Sequence, residues 1–196
     1  MNLFADRILD RGDITASAFL SLNALFIILL APVFAWMWVK LGKYNPNTAV
    51  KFSLAIMLVG LGFGALVMGI NVSGLGKVAM FWMVLTYLLH TCGELCLSPV
   101  GLSAVTKLSP HKIVGFMMGV WFLATASSEF IASILANIAS VETASGEITD
   151  LAVAKESYLK LFNYLFYTGV GVGLFLLTIS PVIKKLMHGV DKELNT

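Results

Sequence analysis

Two carboxylates stand where the surrounding residues offer them no counter-charge. Glu94 is the one charged residue of the run 78–106, and Glu129 the one charged residue of the run 113–141. An ionisable side chain in hydrocarbon costs about 2.5–3.5 kcal/mol on insertion scales, so such a residue is a functional position by default. Polar groups recur around both at helical spacing, because residues three and four apart share a helix face. His90, Thr91, Glu94 and Ser98 make one stripe; Trp121, Thr125, Ser128 and Glu129 make another. Hydroxyls beside a carboxylate at such depth point to a wet cavity rather than a lipid-facing surface. Asn23 adds an amide inside a third apolar run; its plain alternative is a hydrogen bond to a neighbouring helix. For the glutamates the plain alternative is a place near a helix end, or a hydrogen bond that fixes packing. A carboxylate held in such a place either pairs with a cationic ligand or takes up and releases a proton. Burial disfavours its charged form and a nearby ammonium favours it. A site where the two compete couples ligand charge to proton occupancy, as a proton-driven carrier of amine-bearing substrates requires.

The elements that must position these residues follow from composition. The chain has 196 residues, 58% hydrophobic and 12% charged, with a mean hydropathy of +0.88. A soluble domain carries about 25% charged residues, so too few charges are present to cover a water-soluble surface. The runs 14–39, 52–76 and 161–183 hold no charge at all, and 78–106 and 113–141 hold one each. About 20 apolar residues in helical form cross a bilayer's hydrocarbon core, and none of these runs alternates as a membrane strand does. The sequence therefore predicts an all-α membrane protein with five transmembrane helices near 16–40, 50–72, 77–106, 113–138 and 158–185. Residues 1–15 read as an outer-side tail, the segment from Ile138 to Ser157 as a polar external loop, and 187–196 as a cytoplasmic tail.

Cations sort by side. Lys40, Lys43, Lys51, Lys107, Lys112, Lys184, Lys185 and Lys192 fall on one face of the bundle, against Arg7, Arg11, Lys77, Lys155 and Lys160 on the other. The positive-inside rule makes the first face cytoplasmic, which places the N-terminus outside and the C-terminus inside. Trp36, Trp38, Tyr44, Trp82 and Tyr158 lie near predicted helix ends, as interfacial aromatics do. Gly60 with Gly64, Gly115 with Gly119, and Gly169 with Gly173 have the small-xxx-small spacing that lets helices approach closely in lipid.

Other chemistries find little support. A formal net charge of +2, with no basic stripe, argues against nucleic acid as a partner. Cys92 and Cys96 are spaced CxxxC on one predicted helix, too few ligands for zinc and better read as small packing residues. His90 and Glu94 do not make H-E-x-x-H, and no serine has a G-x-S-x-G setting. The charged start, with Asp6, Arg7, Asp10 and Arg11, is unlike a secretory signal.

One block is distinctive. Gly93-Glu94-Leu95-Cys96-Leu97-Ser98-Pro99-Val100-Gly101-Leu102-Ser103, followed by Lys107-Leu108-Ser109-Pro110 and Gly119-Val120-Trp121-Phe122-Leu123-Ala124, resembles the proton-dependent oligopeptide transporter family. Asn2-Leu3-Phe4-Ala5-Asp6-Arg7 and Ser21-Leu22-Asn23-Ala24-Leu25 resemble the end of that family's seventh helix and its eighth. The resemblance implies the major facilitator fold, two six-helix halves around a central peptide site worked by alternating access. This chain would be the second half without most of its first helix, its five spans being helices 8 to 12. Glu94 would then engage the ammonium of a di- or tripeptide, Asn23 its backbone, and Ser98 and Trp121 the binding pocket. Glu129 and His90 are candidates for a proton or gating role. The family commonly has Gly-Asn where this chain has Ser128-Glu129, and its E-x-x-E-R-F signature, tied to proton coupling, is not in the chain. No cofactor is implied beyond protons as coupling ion. The implied partners are the bilayer, the peptide and the missing N-terminal half, without which the chain should not transport; the implied location is a bacterial inner membrane. Two further readings remain open: a carrier of nitrate, a glucoside or an amine drug within the same family, and a non-transporting membrane interaction protein.

Overall fold

The computed structural model describes residues 1–15, 17–141 and 151–187. The described residues form α-helices α1 (Asn2–Arg7), α2 (Ala18–Leu41), α3 (Thr48–Val72), α4 (Met80–Leu108), α5 (Val114–Val141) and α6 (Leu151–Leu186), with two-residue strands β1 (Leu9–Asp10) between α1 and α2 and β2 (Val78–Ala79) between α3 and α4. Helices α2 to α6 contain the five segments long and apolar enough to cross a membrane. The α3 helix is central: it packs on α4 and α6, while α2 and α5 lie along α4. Phe19 is the one buried residue of α2; Leu22 and Phe26 are half-buried against the same core, while Leu20, Leu25, Ile28, Leu29, Val33 and Trp36 are exposed.

Local signals set the ends. Asn47 caps α3, its Oδ1 accepting from the Val50 amide at 2.8 Å, which satisfies one of the four amides a helix start leaves unpaired. Gly42 closes α2 and Gly74 follows α3 at φ of 45° and 52°, a left-handed backbone that costs glycine little. Proline at position 99 lies inside α4, where its ring removes the bond to the carbonyl one turn earlier.

Small residues decide how closely α3 and α6 cross. A Cβ built on Gly169 would lie 2.8 Å from the Gly60 Cα, and one on Gly60 would lie 2.9 Å from the Val170 amide nitrogen. One on Gly64 would meet Phe166 at 2.8 Å. Ser53 Oγ donates to the Gly173 carbonyl at 2.6 Å in the same seam. Two of the three small-residue pairs therefore face each other. Gly115 and Gly119 of α5 have open space instead.

Residues 1–15 carry a short helix, α1, where the resemblance implies the end of a seventh helix, and they are packed into the core. Phe4, Ala5, Ile8 and Leu9 are fully buried, in a core with Leu66, Ile70, Val78, Tyr158 and Phe162. Phe4 meets the rings of Tyr158 and Phe162 edge-on at 5.3 and 5.2 Å. Leu9 and Asp10 pair in parallel with Val78 and Ala79. Phe4 and Ala5 enter this core from α1, Ile8 from its carboxyl cap and Leu9 from β1, while Asp6 stays exposed and accepts from Arg11 at 2.6 Å.

Helices also extend into both ends of the segment expected as an external loop. The α5 helix reaches Val141 and α6 starts at Leu151, before the apolar run proper. The first turns of α6 are amphipathic: Ala154, Lys155, Tyr158 and Phe162 are buried, while Glu156 pairs with Lys160 at 2.9 Å on the outside. A span located by absence of charge misses such turns. Glu142, Glu147 and Asp150 of the expected loop, and Lys192 of the expected tail, lie outside the described residues.

Lys155 is 6% exposed. Its ammonium donates to Ser73 Oγ at 2.6 Å, to the Gly74 carbonyl at 2.9 Å and to the Gly76 carbonyl. A cation at the carboxyl end of α3 is also favoured by the helix dipole. The ends of α3 and α6 are thus tied through one side chain.

Candidate functional site

Asn23 and Glu94 meet. The Asn23 Nδ2 donates to Glu94 Oε2 at 3.2 Å, across the contact between α2 and α4. The other end of the same amide, Oδ1, accepts from the Thr91 hydroxyl at 2.6 Å. Thr91 lies one turn before Glu94 and is 0% exposed, whereas the Glu94 side chain is exposed on the open side of α4. A carboxylate is therefore held from behind by an amide, and its remaining lone pairs face outward. Among the described residues it has no ion pair, so the arrangement is suited to a cation that arrives from outside the helix pair.

The polar stripe on α4 divides. Thr91 and Glu94 face α2, but His90 turns to α3, where its Nε2 lies 3.1 Å from the Val59 carbonyl. That acceptor requires Nε2 to carry the hydrogen. The imidazole fits because position 62 is glycine: a Cβ there would lie 2.5 Å from His90 Cδ2. Its ring also meets Phe63 edge-on at 4.9 Å. His90 is thus placed in the α3–α4 contact and makes no hydrogen bond to Glu94.

Ser98 is exposed one turn beyond Glu94. A turn further, about 10 Å along the axis from Glu94, Gly101 receives Trp121 of α5: a Cβ at 101 would lie 2.8 Å from the indole Cζ2. One face of α4 therefore carries Glu94, Ser98 and the seat of Trp121 in succession. Glu129 is exposed on α5, with no hydrogen bond or ion pair among the described residues. The hydroxyls expected to mark a wet cavity around it fold back on their own helix. Thr125 donates to the Trp121 carbonyl at 3.0 Å and Ser128 to the Thr125 carbonyl at 2.7 Å. Such back-bonding satisfies a hydroxyl without water.

Three contributors were not singled out in the sequence. Gly62 and Gly101 provide the notches for His90 and Trp121; an isolated glycine in an apolar run carries no sign of what enters it. Tyr87 is 8% exposed and its hydroxyl has no hydrogen-bond partner among the described residues.

Five long apolar helices, α4 and α6 packed on α3 and α2 and α5 along α4, with a carboxylate on the open face of α4, are the architecture of a helical membrane protein. A sequence model of the POT family matches residues 1–155, and the chain belongs to that family, whose members are peptide transporters rather than enzymes. It is 39% identical to the uncharacterized transporter YclF of Bacillus subtilis, over 91% of this chain and 33% of that protein. It is 37% identical to a di-/tripeptide transporter of Lactococcus lactis subsp. lactis, over 86% of this chain and 31% of that protein. A crystal structure of the peptide transporter POT in complex with sulfate superposes with a TM-score of 0.79 at 39% identity, covering 95% of this chain and 36% of that one. The chain spans about a third of the length of the relatives it matches. The fold is that of the POT transporters, of major facilitator type.

Proposed function

We propose that the chain is the C-terminal portion of a proton-coupled di- and tripeptide symporter, with Glu94 binding the peptide's ammonium. The observation that carries this reading is the Asn23–Glu94 hydrogen bond at 3.2 Å on the exposed face of α4. It leaves one carboxylate oriented and open to a cation, with amide, hydroxyl and indole along the same face. Asn23 contacts the peptide backbone, and Ser98 and Trp121 line the pocket beyond it. Protons are the coupling ion, and no cofactor takes part. Glu129, exposed on α5, is assigned to proton handling or gating; His90, bonded to Val59, is assigned to holding α4 on α3. Substrate lies between two bundles in such carriers, so an N-terminal portion completes the cavity and the two bundles rock about it. This chain alone does not transport. The bundle sits in a bacterial inner membrane, with α1 outside and the α2–α3 turn inside. Lys40 over Trp36 at 4.4 Å and Lys51 over Trp38 at 4.7 Å support a membrane interface at that inner end.

The test is acid-driven uptake of a labelled dipeptide by cells expressing the full-length transporter. Glu94→Gln keeps the shape and removes the charge; uptake at limiting substrate falls at least tenfold, with unchanged membrane abundance. Uptake and affinity equal to wild type would remove Glu94 from the substrate site.

A further inference from the structure

We infer that Thr91 is a positioning residue for the substrate site: its hydroxyl fixes which end of the Asn23 amide faces Glu94. The inference deepens the proposed function and rests on the reading of Glu94 as the ammonium's partner.

The hydrogen-bond inventory carries the argument. An ionised carboxylate only accepts, a hydroxyl carries one hydrogen, and an amide is a donor at one end and an acceptor at the other. Thr91 Oγ1 lies 2.6 Å from Asn23 Oδ1 and 2.8 Å from the Tyr87 carbonyl, so two acceptors compete for its single hydrogen. The Tyr87 carbonyl is one turn earlier on α4, inside the helix ladder, and already has an amide partner there. Asn23 Oδ1 has no other donor among the described residues. The shorter contact is the one that stabilises an otherwise unpaired group. With Oδ1 held by Thr91, Nδ2 must point at Glu94 Oε2, 3.2 Å away.

Without the hydroxyl this choice is lost. Both ends of the amide are nearly equal in size, and a turned Asn23 would set its oxygen against the carboxylate oxygen. The carboxylate then loses the donor that orients it, and swings on an exposed helix face. Thr91 is fully buried, so it touches no ligand and acts through Asn23 alone. Among the described residues no charged group is bonded to Glu94 in Asn23's place. Lys40 on α2 and Lys51 on α3 lie over Trp36 and Trp38, His90 on α4 bonds Val59, and Glu129 on α5, an acceptor when ionised, has no donor to offer a carboxylate.

The experiment measures equilibrium affinity of the purified full-length transporter for dialanine and for N-acetyl-dialanine. Thr91→Val, nearly the same shape, weakens dialanine binding fivefold or more and leaves N-acetyl-dialanine binding unchanged. Thr91→Ser restores dialanine binding to within twofold of wild type. In an Asn23→Ala background, adding Thr91→Val changes affinity less than twofold, because residues that act as one unit are not additive. Thr91→Ala gives the same pattern with less bulk, and thermal melting of each variant separates lost binding from lost folding. Wild-type discrimination between the two ligands that survives intact in folded Thr91→Val, or two fully additive losses, would overturn the Thr91 inference alone. Equal affinity of the wild type for both ligands would overturn the Glu94 reading and this inference with it.

Discussion

A single residue type at a single depth carries most of the functional argument. Glu94 was legible because a charge inside an apolar run is costly and therefore rare, and Asn23 because an amide there needs a hydrogen-bond partner. That they touch was not legible, because the rotation of α2 about its axis depends on packing that the sequence of α2 does not encode. The role of Thr91 was hidden further, since threonine is unremarkable in a membrane helix until its hydroxyl is seen 2.6 Å from Asn23 Oδ1. Tyr87 marks the opposite case, a polar atom with nothing to bond. Its hydroxyl is buried without a partner among the described residues, and an unsatisfied buried group of this kind costs about 1–3 kcal/mol. Tyr87→Phe removes the cost while keeping the ring, so thermal melting of the purified protein shifts upward by a few degrees. A fall of similar size would mean that the phenol oxygen is bonded after all.

Helices can be located by counting charges, but their ends and contacts need the amphipathic turns as well. The five spans were recognisable because hydrocarbon tolerates so few polar groups. The start of α6 was not, because Ala154, Tyr158 and Phe162 bury one face while Glu156 and Lys160 pair on the other. Hydropathy averaged over such a turn cancels. Small-residue spacing was informative in part: it marks where a close approach is permitted, and α3 and α6 use the permission while Gly115 and Gly119 of α5 do not. Gly169→Ala tests the crossing. Its Cβ would sit 2.8 Å from the Gly60 Cα, so the two backbones must separate, and overpacking of this kind costs about 1–3 kcal/mol. Melting falls by several degrees. Gly171→Ala on the same helix, where nothing lies within 4 Å, leaves it unchanged or slightly raised; equal loss in both would trace the effect to helix α6 itself rather than to the crossing.

At the scale of the whole molecule, the near-neutral total charge conceals two arrangements. One is a cation excess at the end carrying the α2–α3 turn, which sets the proposed orientation. A cysteine introduced at Gly12 is then labelled by an impermeant thiol reagent from outside intact cells, and one at Lys112 only after permeabilisation. The reverse pattern would invert the bundle. The other is the pair of membrane carboxylates, of which Glu94 is oriented by Asn23 and Glu129 is not paired among the described residues. On the proposed function, the exposed side chains of α2 and α5 and the exposed Glu94 form one side of the substrate cavity. The most direct measurement of that account is the affinity of the full-length transporter for a free dipeptide and for its N-acetylated form, in wild type and in Glu94→Gln. An ammonium held by Glu94 predicts that the wild type prefers the free peptide at least tenfold, about 1.4 kcal/mol, and that Glu94→Gln binds both forms alike. A Glu94→Gln protein that keeps the full preference would contradict it.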